Sequence, residues 1–333
     1  MLKILIIRFS SIGDIVLTSP VPRLLKKKFP NSKIHFITKK RYQDLYRYNK
    51  NIDRVILFKK NLFLTAIKLR YESYDFVIDL HNNLRSIFLR FILFKKSYIY
   101  NKEFIKRWLI VNFKLKIRLP HIAESYILTL KPLGINDDLK GLDYFFSYKD
   151  IFENSWLPSS HKKNYIILVL GAKYFTKRLP TNKAIELCDK LNSPIILLGG
   201  KDAINDANVI ENFFNKSKNF EKKIYNTLNK KTKIVNMCGK LSINQSAFLL
   251  KNADMVYTND TGLMHIAAAL KKKVVGIWGS THPNLGFYPF ETKFAIYQNN
   301  NLSCRPCTKI GHSKCPLNHF KCMNDLKFDD VIL

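Results

Sequence analysis

Short apolar runs alternate with segments of helical period along most of the chain. Apolar runs bounded by turn residues predict buried strands, and apolar residues that recur every three or four positions predict helices. In the first half, strands are predicted at residues 3–7, 34–38, 55–58 and 76–80. Helices are predicted at about residues 15–28, 41–48, 62–71, 84–94, 103–117 and 121–133. This alternation indicates an α/β domain built on a parallel sheet.

A second series of the same kind fills the rest of the chain. Its strands are predicted at residues 165–170, 194–198, 234–237, 255–257 and 274–278. Residues 242–245, Ser-Ile-Asn-Gln, fit a capping box that opens a helix. Residues 134–163 show no clear period between the two series, which indicates an interdomain connection. We therefore predict two Rossmann-like parallel-sheet domains, residues 1–155 and 156–333, that face each other across a cleft. In such sheets the ligand crevice lies at the carboxyl ends of the strands.

The most informative segment is residues 258–269, which places a polar turn between a strand and a helix rich in alanine. Asp260, Thr261 and Gly262 stand at the predicted helix N-terminus, where free backbone N–H groups and the helix dipole attract phosphate. His265 follows inside the helix and is interpreted as a buried packing residue, with a contact to phosphate or to Asp260 as the alternative. The segment therefore indicates a phosphorylated ligand.

Composition and charge limit the class of protein. Of the 333 residues, 47% are hydrophobic and 13% aromatic, which is typical of a globular chain. The net charge of +31 suggests an anionic partner such as nucleic acid or a membrane surface. Lysines outnumber arginines 44 to 12, and an A/T-rich genome is the alternative source of that excess.

No apolar run approaches the ~18–20 residues that a membrane-spanning helix needs. The apolar opening at residues 1–7 is interrupted by Arg8, and no small-residue cleavage site follows, so it reads as a buried strand rather than a signal peptide. We expect a cytoplasmic protein, with peripheral association with a membrane as an option.

A carboxylate follows the first predicted strand. Residues 8–15 contain neither GxGxxG nor GKS/GKT, so they match neither a Rossmann fingerprint nor a P-loop. Asp14 stands at the strand-to-helix turn, where an acid commonly caps a helix. The functional alternative is a general base that lies beside an acceptor hydroxyl.

Two loops of the second half carry glycine and charge at predicted strand ends. Gly171 is followed by Lys173, Lys177 and Arg178, cations that could hold a diphosphate. In a chain so rich in lysine, a solvated basic loop is the alternative. The second loop places Asp202 after two glycines, where its carboxylate could reach a ribose or a base.

Four cysteines lie near the C-terminus with the spacing CxxC-x7-C-x6-C. They are Cys304, Cys307, Cys315 and Cys322. Such a cluster could bind zinc, although its second half lacks a CxxC knuckle. Reduced cysteines that pack a loop are the alternative, since disulfides are unusual in the cytosol.

Residues 84–118 contain ten Lys or Arg and one acid, interleaved with eight aromatic side chains. Basic and aromatic residues at helical spacing suit the face of an anionic membrane. Part of the apolar set must lie in the core, so this interpretation concerns the basic residues.

These motifs resemble those of the ADP-heptose:lipopolysaccharide heptosyltransferases, glycosyltransferase family 9. The opening Ile-Arg-Phe-Ser-Ser-Ile-Gly-Asp, which ends at Asp14, resembles the family's N-terminal motif. Residues 79–86 are similar to its Asp-Leu-Gln…Arg-Ser segment, with His81 at the usual Gln. Residues 177–180 are similar to its Lys-x-Trp-Pro, with Leu179 at the usual Trp.

Two further segments of the second half match the family closely. They are Cys-Gly-Lys-Leu-Ser at residues 238–242 and the Asp-Thr-Gly-x-x-His-x-Ala-Ala core within residues 259–269. The cysteine-rich tail also resembles that of many members. The resemblance thus extends over essentially the whole chain.

The resemblance implies a GT-B fold and metal-independent, inverting transfer of a sugar from a nucleotide diphosphate. It implies that Asp14 deprotonates the acceptor hydroxyl, which favours the base over the cap, and that Lys177 neutralises the leaving diphosphate. The donor-binding residues are then expected to be Lys173, Asp202, Asp260, Thr261, Gly262 and His265. The acceptor-binding residues are expected to be Ser10, Ser11, Gly13 and Arg85. No metal or other cofactor is expected to be required.

The leading hypothesis is a heptosyltransferase that moves heptose from ADP-heptose to the lipid A-Kdo inner core of lipopolysaccharide. Its expected partners are a nucleotide-diphosphate sugar, a phosphorylated lipid acceptor and the cytoplasmic surface of the inner membrane, and no nucleic acid. The alternative keeps the fold and mechanism with another nucleotide-sugar donor in surface-glycan synthesis. A nucleic-acid-binding protein is the distant alternative, prompted by the charge but without a recognition motif.

Overall fold

The computed structural model of the chain describes residues 1–58, 61–147, 156–216 and 231–328. The chain divides into two compact units, Met1–Phe104 with Pro120–Ser147 and Ile105–Leu119 with Tyr148–Leu333. The predicted boundary after residue 155 lies outside the described residues, as do residues 148–155 of the predicted connection.

The first unit is built on a parallel sheet whose described strands are β1 (Lys3–Ile7), β2 (Lys33–Lys39), β3 (Arg54–Phe58), β4 (Phe76–Asp79) and β5 (Lys96–Ile99). Their spatial order is β3-β2-β1-β4-β5. Its helices are α1 (Ile12–Leu17), α2 (Pro20–Lys28), α3 (Leu62–Tyr71), α4 (Leu84–Leu93) and α6 (Ile122–Ile127). Because β1 and β4 are neighbours, with Ile7 beside Asp79, the turns that follow these two strands emerge side by side.

The second unit is also built on a parallel sheet. Its described strands are β6 (Ile166–Val169), β7 (Pro194–Leu198), β8 (Lys233–Asn236), β9 (Met255–Asn259), β10 (Lys273–Trp278) and β11 (Phe294–Gln298), in the order β11-β10-β9-β6-β7-β8. Its helices are α7 (Thr181–Leu191), α8 (Ile204–Lys216), α9 (Ile243–Asn252), α10 (Gly262–Ala269) and α11 (Lys321–Asn324). Helix α5 (Phe104–Phe113) belongs to this unit from Ile105 onward.

The predicted fold class, α/β with two parallel sheets, is confirmed. In the first unit, Ala66 and Leu69 of α3 and Leu89 and Leu93 of α4 pack on the sheet to form the core. The predicted capping box is also present, since Ser242 and Gln245 bond reciprocally at the start of α9. None of the described helices combines the length and apolar character that a membrane crossing requires.

Some predicted elements were wrong in extent. The helix predicted at 15–28 is two helices, because Pro20 has no N–H to continue α1 and instead occupies the first position of α2. The helix predicted at 121–133 gives way to a 3₁₀ segment, Leu128–Leu133, which contains Pro132. A 3₁₀ segment, Lys40–Leu45, replaces the helix predicted at 41–48.

Two strands were missed, and one helix is shorter than predicted. Strands β5 and β11 form one edge of each sheet. The side chains of both strands are largely exposed or half-buried. The β5 sequence, Lys-Ser-Tyr-Ile, carries little of the apolar signal of a strand, whereas that of β11, Phe-Ala-Ile-Tyr-Gln, contains an apolar run that the prediction overlooked. Helix α5 ends at Phe113 rather than at residue 117.

Candidate active site

The turn after β1 fixes the Asp14 carboxylate through both of its oxygens. Asp14 is the third residue of α1, and its Oδ2 accepts from the N–H (3.1 Å) and the hydroxyl (2.6 Å) of Ser11, the N-cap residue. Its Oδ1 lies 2.8 Å from Nη2 of Arg8. Asp14 therefore does cap its helix, and the same bonds hold its carboxylate in one orientation, as a general base requires.

Arg8 is buried and ties two neighbouring turns together. Its Nε donates to the carbonyl of Ser10 (2.7 Å), and its Nη1 donates to the carbonyl of Leu80 in the turn after β4 (2.5 Å). Burial alone lowers the pKa of Arg8, but the adjacent Asp14 and the nearby Tyr126 raise it above its usual value. Arg8 thus remains a cation beside Asp14.

The turn after β4 is organised by Asp79, a fully buried acid. Its Oδ1 accepts from the N–H groups of His81 (2.9 Å) and Asn82 (2.8 Å), and its Oδ2 lies 3.0 Å from Nε of Arg90 in α4. These contacts carry the His81 ring to within 5.0 Å of the ring of Phe9. Asp79 is therefore the residue that shapes this turn beside the Asp14 turn.

Burial and positive charge keep His81 neutral. Burial, then Arg8 and Lys102, lower the pKa of His81 from 6.5 to about 3. Burial and Arg8 also lower the pKa of Lys102, against the opposing effect of Asp79 and Asp14. The carboxyl edge of this sheet thus concentrates positive charge around Asp14, which suits an anionic acceptor.

The other residues expected to bind the acceptor lie in the β1 turn and on helix α4. Ser10 and Gly13 are half-buried in the β1 turn, and Ser11 is exposed there. Arg85 is exposed near the start of α4, the helix that follows the β4 turn. The structure thus brings Ser10, Ser11 and Gly13 together with Asp14, whereas Arg85 lies on the surface of α4.

We expect the neutral state of His81 to make stability depend on pH. Below pH 6.5 the unfolded chain binds a proton at this ring, while the folded chain binds it only near pH 3. The free energy of unfolding should therefore fall as the pH drops through this window, by up to about 1.4 kcal/mol per pH unit from this group. Urea unfolding of wild type and His81→Gln between pH 7.5 and 4 checks this. The variant should lose less stability, and identical pH profiles would contradict the account.

In the second unit, the predicted strand, turn and helix at residues 258–269 are present as β9 and α10. Thr261 is the N-cap of α10, and Gly262 is its first residue. Both residues are half-buried, so the N-terminal backbone N–H groups are within reach of a ligand. A helix N-terminus of this kind suits the phosphate that the sequence predicts here.

Directly before this helix, Asp260 holds Lys177. Nζ of Lys177 lies 2.7 Å from Oδ2 of Asp260, which also accepts from the hydroxyl of Thr281 (2.9 Å). Asp260 is only 9% exposed. An acid is a poor direct ligand for phosphate, and in the structure Asp260 instead holds the Lys177 ammonium beside the start of α10.

The glycine turns after β6 and β7 lie against each other. Gly171 has φ +74°, and a Cβ at this position would lie 2.8 Å from a carboxylate oxygen of Asp202. Asp202 in turn pairs with Arg178 (3.2 Å), whose Nε donates to the carbonyl of Ala172 (2.8 Å). Asp202 is thus engaged with Arg178, and contact with a ribose would require it to exchange or share this partner.

Two expected donor residues take different positions. Lys173 is exposed, with its ammonium 5.2 Å from the ring centroid of Tyr174. His265 is buried inside α10, with its ring 6.4 Å from that of Phe287. This placement of His265 agrees with the packing interpretation.

Comparison with known proteins decides the family. The model of glycosyltransferase family 9 (heptosyltransferase) matches residues 65–317, which is more than half of the chain. The chain belongs to glycosyltransferase family 9. It is therefore an enzyme of the transferase class.

Named relatives agree with this membership. The chain is 27% identical over 340 aligned positions to lipooligosaccharide heptosyltransferase 2 of Campylobacter jejuni subsp. jejuni serotype O:6, which covers 96% of this chain and 94% of the relative. Its structure is similar to that of Escherichia coli ADP-heptose LPS heptosyltransferase II, with TM-score 0.69, 20% identity and coverage of 97% and 98% of the two chains. It is also similar to E. coli heptosyltransferase WaaC with ADP, with TM-score 0.64, 20% identity and coverage of 91% and 95%. The structural likenesses show the GT-B fold.

Two residues that sequence reasoning missed lie beside Asp260 and the Lys177 segment in the candidate site. Ser280 and Thr281 follow β10, and the Ser280 hydroxyl donates to that of Thr176 (2.8 Å) while Thr281 donates to Asp260. Their position at the carboxyl end of a central parallel strand was the available signal. The loop after β10 thus holds the Lys177 segment and Asp260 at the same time.

Arg305 anchors that loop from the cysteine-rich tail. It is buried, and its Nε donates to the carbonyl of Gly279 (2.5 Å) while Nη2 donates to that of Thr281 (3.0 Å). Nη1 donates to the carbonyl of Asn299 (2.6 Å), and Nη2 also donates to Oε1 of Gln298 (3.0 Å). The CxxC segment therefore carries a guanidinium that fixes the backbone behind Thr281.

The four tail cysteines are thiols in the structure. Burial above all raises the pKa of Cys307 to about 11 and that of Cys322 to about 12. Within the part of the chain that the structure describes, no three His, Cys, Asp or Glu side chains are grouped so that they could hold a metal ion. Zinc binding by Cys304, Cys307, Cys315 and Cys322 stays a hypothesis, which metal analysis of the purified protein would test.

We expect Arg305→Lys to destabilise the protein markedly. Lysine keeps the charge but cannot reach several carbonyls at once, and buried hydrogen bonds to a charged group contribute about 1.5–3 kcal/mol each. Urea unfolding should show a loss of at least about 2 kcal/mol, against about 0.5 kcal/mol or less for Arg41→Lys, a matched change at an exposed arginine. Equal effects of the two changes would show that Arg305 does not anchor the loop.

Proposed function

We propose that this family 9 glycosyltransferase moves heptose from ADP-heptose to the lipid A-Kdo inner core of lipopolysaccharide. The main support for binding of the nucleotide-sugar donor is the position of the Lys177 ammonium, which Asp260 holds directly before the N-terminus of α10. A fixed cation and free backbone N–H groups together suit the diphosphate of a nucleotide sugar. The named heptosyltransferase relatives, one of them solved with ADP, support adenosine diphosphate and heptose as its two parts.

In the proposed reaction, Asp14 removes the proton of the acceptor hydroxyl as its oxygen attacks the anomeric carbon of the heptose. The bond from that carbon to the diphosphate breaks, and ADP leaves with the bonding electrons. Lys177 and the α10 backbone stabilise the charge that develops on the leaving diphosphate. Attack opposite the leaving group inverts the anomeric configuration.

The cations near Asp14 support an anionic acceptor. Arg8 lies against Asp14, and Lys102 is near enough to lower the pKa of His81. We propose that this edge of the first unit receives the phosphorylated, Kdo-bearing end of the lipid. We also propose that transfer requires no metal, with Lys177 and the backbone N–H groups of α10 as the groups that face the diphosphate.

A donor screen tests this function. ADP-heptose is compared with common UDP- and GDP-sugars on a lipid A-Kdo acceptor, in the presence of EDTA, with product mass as the readout. Transfer from ADP-heptose alone is expected. Preferential transfer from another sugar nucleotide would instead favour the alternative donor, and loss of transfer in EDTA would contradict the metal-independent mechanism.

A further inference from the structure

Helix α4 of the first unit presents an apolar outer face. Leu84, Ile87 and Phe91 follow one another at spacings of three and four residues, so they lie on one side of the helix, and Phe94 continues this stripe at the C-cap. Their exposed fractions are 85%, 44%, 75% and 87%, respectively. We call these four residues the α4 stripe.

The opposite side of α4 already supplies the core. Ser86, Leu89 and Leu93 are buried, and the two leucines pack in the same cluster as the β1 strand. A helix on the surface of a water-soluble protein is normally polar on its outer side. The α4 stripe is therefore apolar surface beyond what folding of the unit uses, and such a patch marks an interaction site.

The charge around the stripe has one sign. Residues 84–102 contain five Lys or Arg and no Asp or Glu. Arg85, Lys95 and Lys96 are exposed, whereas Asp79, the acid that precedes α4, is buried and paired with Arg90, and the next acid after the helix is Glu103. An apolar stripe flanked by cations is complementary to an anionic lipid surface, which offers acyl chains beneath negative headgroups.

The stripe borders a shallow, open depression. This depression has a volume of about 500 Å³ and is lined by Ile87, Arg90, Phe91, Phe94, Lys95 and Ser97. Apolar walls and two cations thus meet in one depression. Ile99 on the edge strand β5, 42% exposed, adds further apolar surface in the same segment.

We propose that the α4 stripe and its basic flanks dock this enzyme on the surface of an anionic bilayer. Helix α4 begins directly after the β4 turn, whose Leu80 carbonyl is bonded to Arg8 beside Asp14. Docking through α4 therefore brings the acceptor side of the first unit to the lipid. The inference that docking brings the enzyme to its acceptor rests on the proposed function, whereas binding to the bilayer itself requires neither donor nor acceptor.

Vesicle flotation tests the docking. The full chain is mixed with vesicles of equal parts phosphatidylglycerol and phosphatidylethanolamine, or of phosphatidylcholine alone. The test variants are Ile87→Ser/Phe91→Ser/Phe94→Ser and, separately, Lys95→Glu/Lys96→Glu. The matched control is Val209→Ser/Ile310→Ser/Leu317→Ser, which removes three apolar side chains that are 54%, 57% and 59% exposed in the second unit.

Wild type and the control are expected to bind the anionic vesicles, with binding that weakens in high salt. Each test variant should partition onto them at least about tenfold less. The Lys95→Glu/Lys96→Glu variant alters only exposed residues and should fold normally. It therefore tests the proposal even if the triple serine variant folds poorly. Unchanged binding of both test variants, or equal binding of wild type to both kinds of vesicle, would overturn the proposal.

Two further readouts separate this proposal from its competitors. Sedimentation velocity that shows a dimer abolished by the triple serine variant, with vesicle binding unchanged, would assign the stripe to a second copy of the chain and overturn bilayer docking. Turnover of a water-soluble Kdo acceptor without acyl chains should be equal in wild type and the charge variant. If the wild type transfers no heptose but the test variants still lose vesicle binding, the docking is supported and the proposed function is wrong.

Discussion

Asp14→Asn is expected to lower turnover by about 10²- to 10⁴-fold, the range typical of a lost general base. The amide can still accept from Ser11 and lie beside Arg8, but it cannot take a proton from the acceptor hydroxyl. Donor affinity, measured by calorimetry with ADP, should change little because Asp14 belongs to the first unit and the proposed donor contacts lie in the second. Steady-state transfer at saturating donor is the measurement.

A matched control separates catalysis from helix capping. Glu124 occupies the same third position of α6, and its Oε2 accepts from the N–H of His121 at 2.8 Å. Glu124→Gln keeps an oxygen that can accept from the N–H of His121, so it should leave both the cap and the turnover nearly unchanged. Near-normal turnover in Asp14→Asn, or an equal loss in Glu124→Gln, would show that Asp14 only caps its helix.

Lys177→Ala is expected to lower turnover by about 10²- to 10³-fold, which is typical of the loss of one group that stabilises a developing anion. The substitution also leaves Asp260, a buried acid, with the Thr281 hydroxyl but without its cation, so repulsion of the diphosphate should add to the effect. Lys177→Arg keeps the charge and should recover part of the rate. Transfer from ADP-heptose by the three proteins, under single-turnover conditions, is the measurement.

The control for this prediction is Lys183→Ala in the same unit. Lys183 is also half-buried and paired with an acid, Glu186, at 2.6 Å. Its loss should change stability modestly and leave the rate unaffected. An unchanged rate in Lys177→Ala would refute the role in diphosphate stabilisation, and so would an equal loss of rate in Lys183→Ala.

Local features of the sequence predicted most of the strands and helices of both units. The strand, turn and helix at residues 258–269 and the capping box at Ser242 depend on neighbouring residues, and both are present. Apolar periodicity likewise predicted the central strands, because these are buried on both faces. It could not predict the edge strand β5, which has few apolar residues, and the apolar run of β11 was overlooked.

The partners within the candidate site could not be predicted in the same way. Lys177 and Asp260 are 83 positions apart, and only the order of the sheet brings their loops together. Arg305 was read as part of a CxxC spacing, and its bonds to the loop after β10 depend on the tertiary fold alone. Glycine turns and charged residues at strand ends indicated where a site lies. They did not indicate which charged residues pair with each other there.

Transfer from ADP-heptose to lipid A-Kdo, followed by mass spectrometry and by NMR of the new glycosidic bond, tests the proposed reaction and its stereochemistry together. We expect a product heavier by one heptosyl residue, with an anomeric configuration opposite to that of the donor. A product that retains the donor's configuration would contradict the proposed single displacement by an acceptor activated at Asp14. No heptosyl product, with transfer from a different sugar nucleotide instead, would contradict the proposed donor.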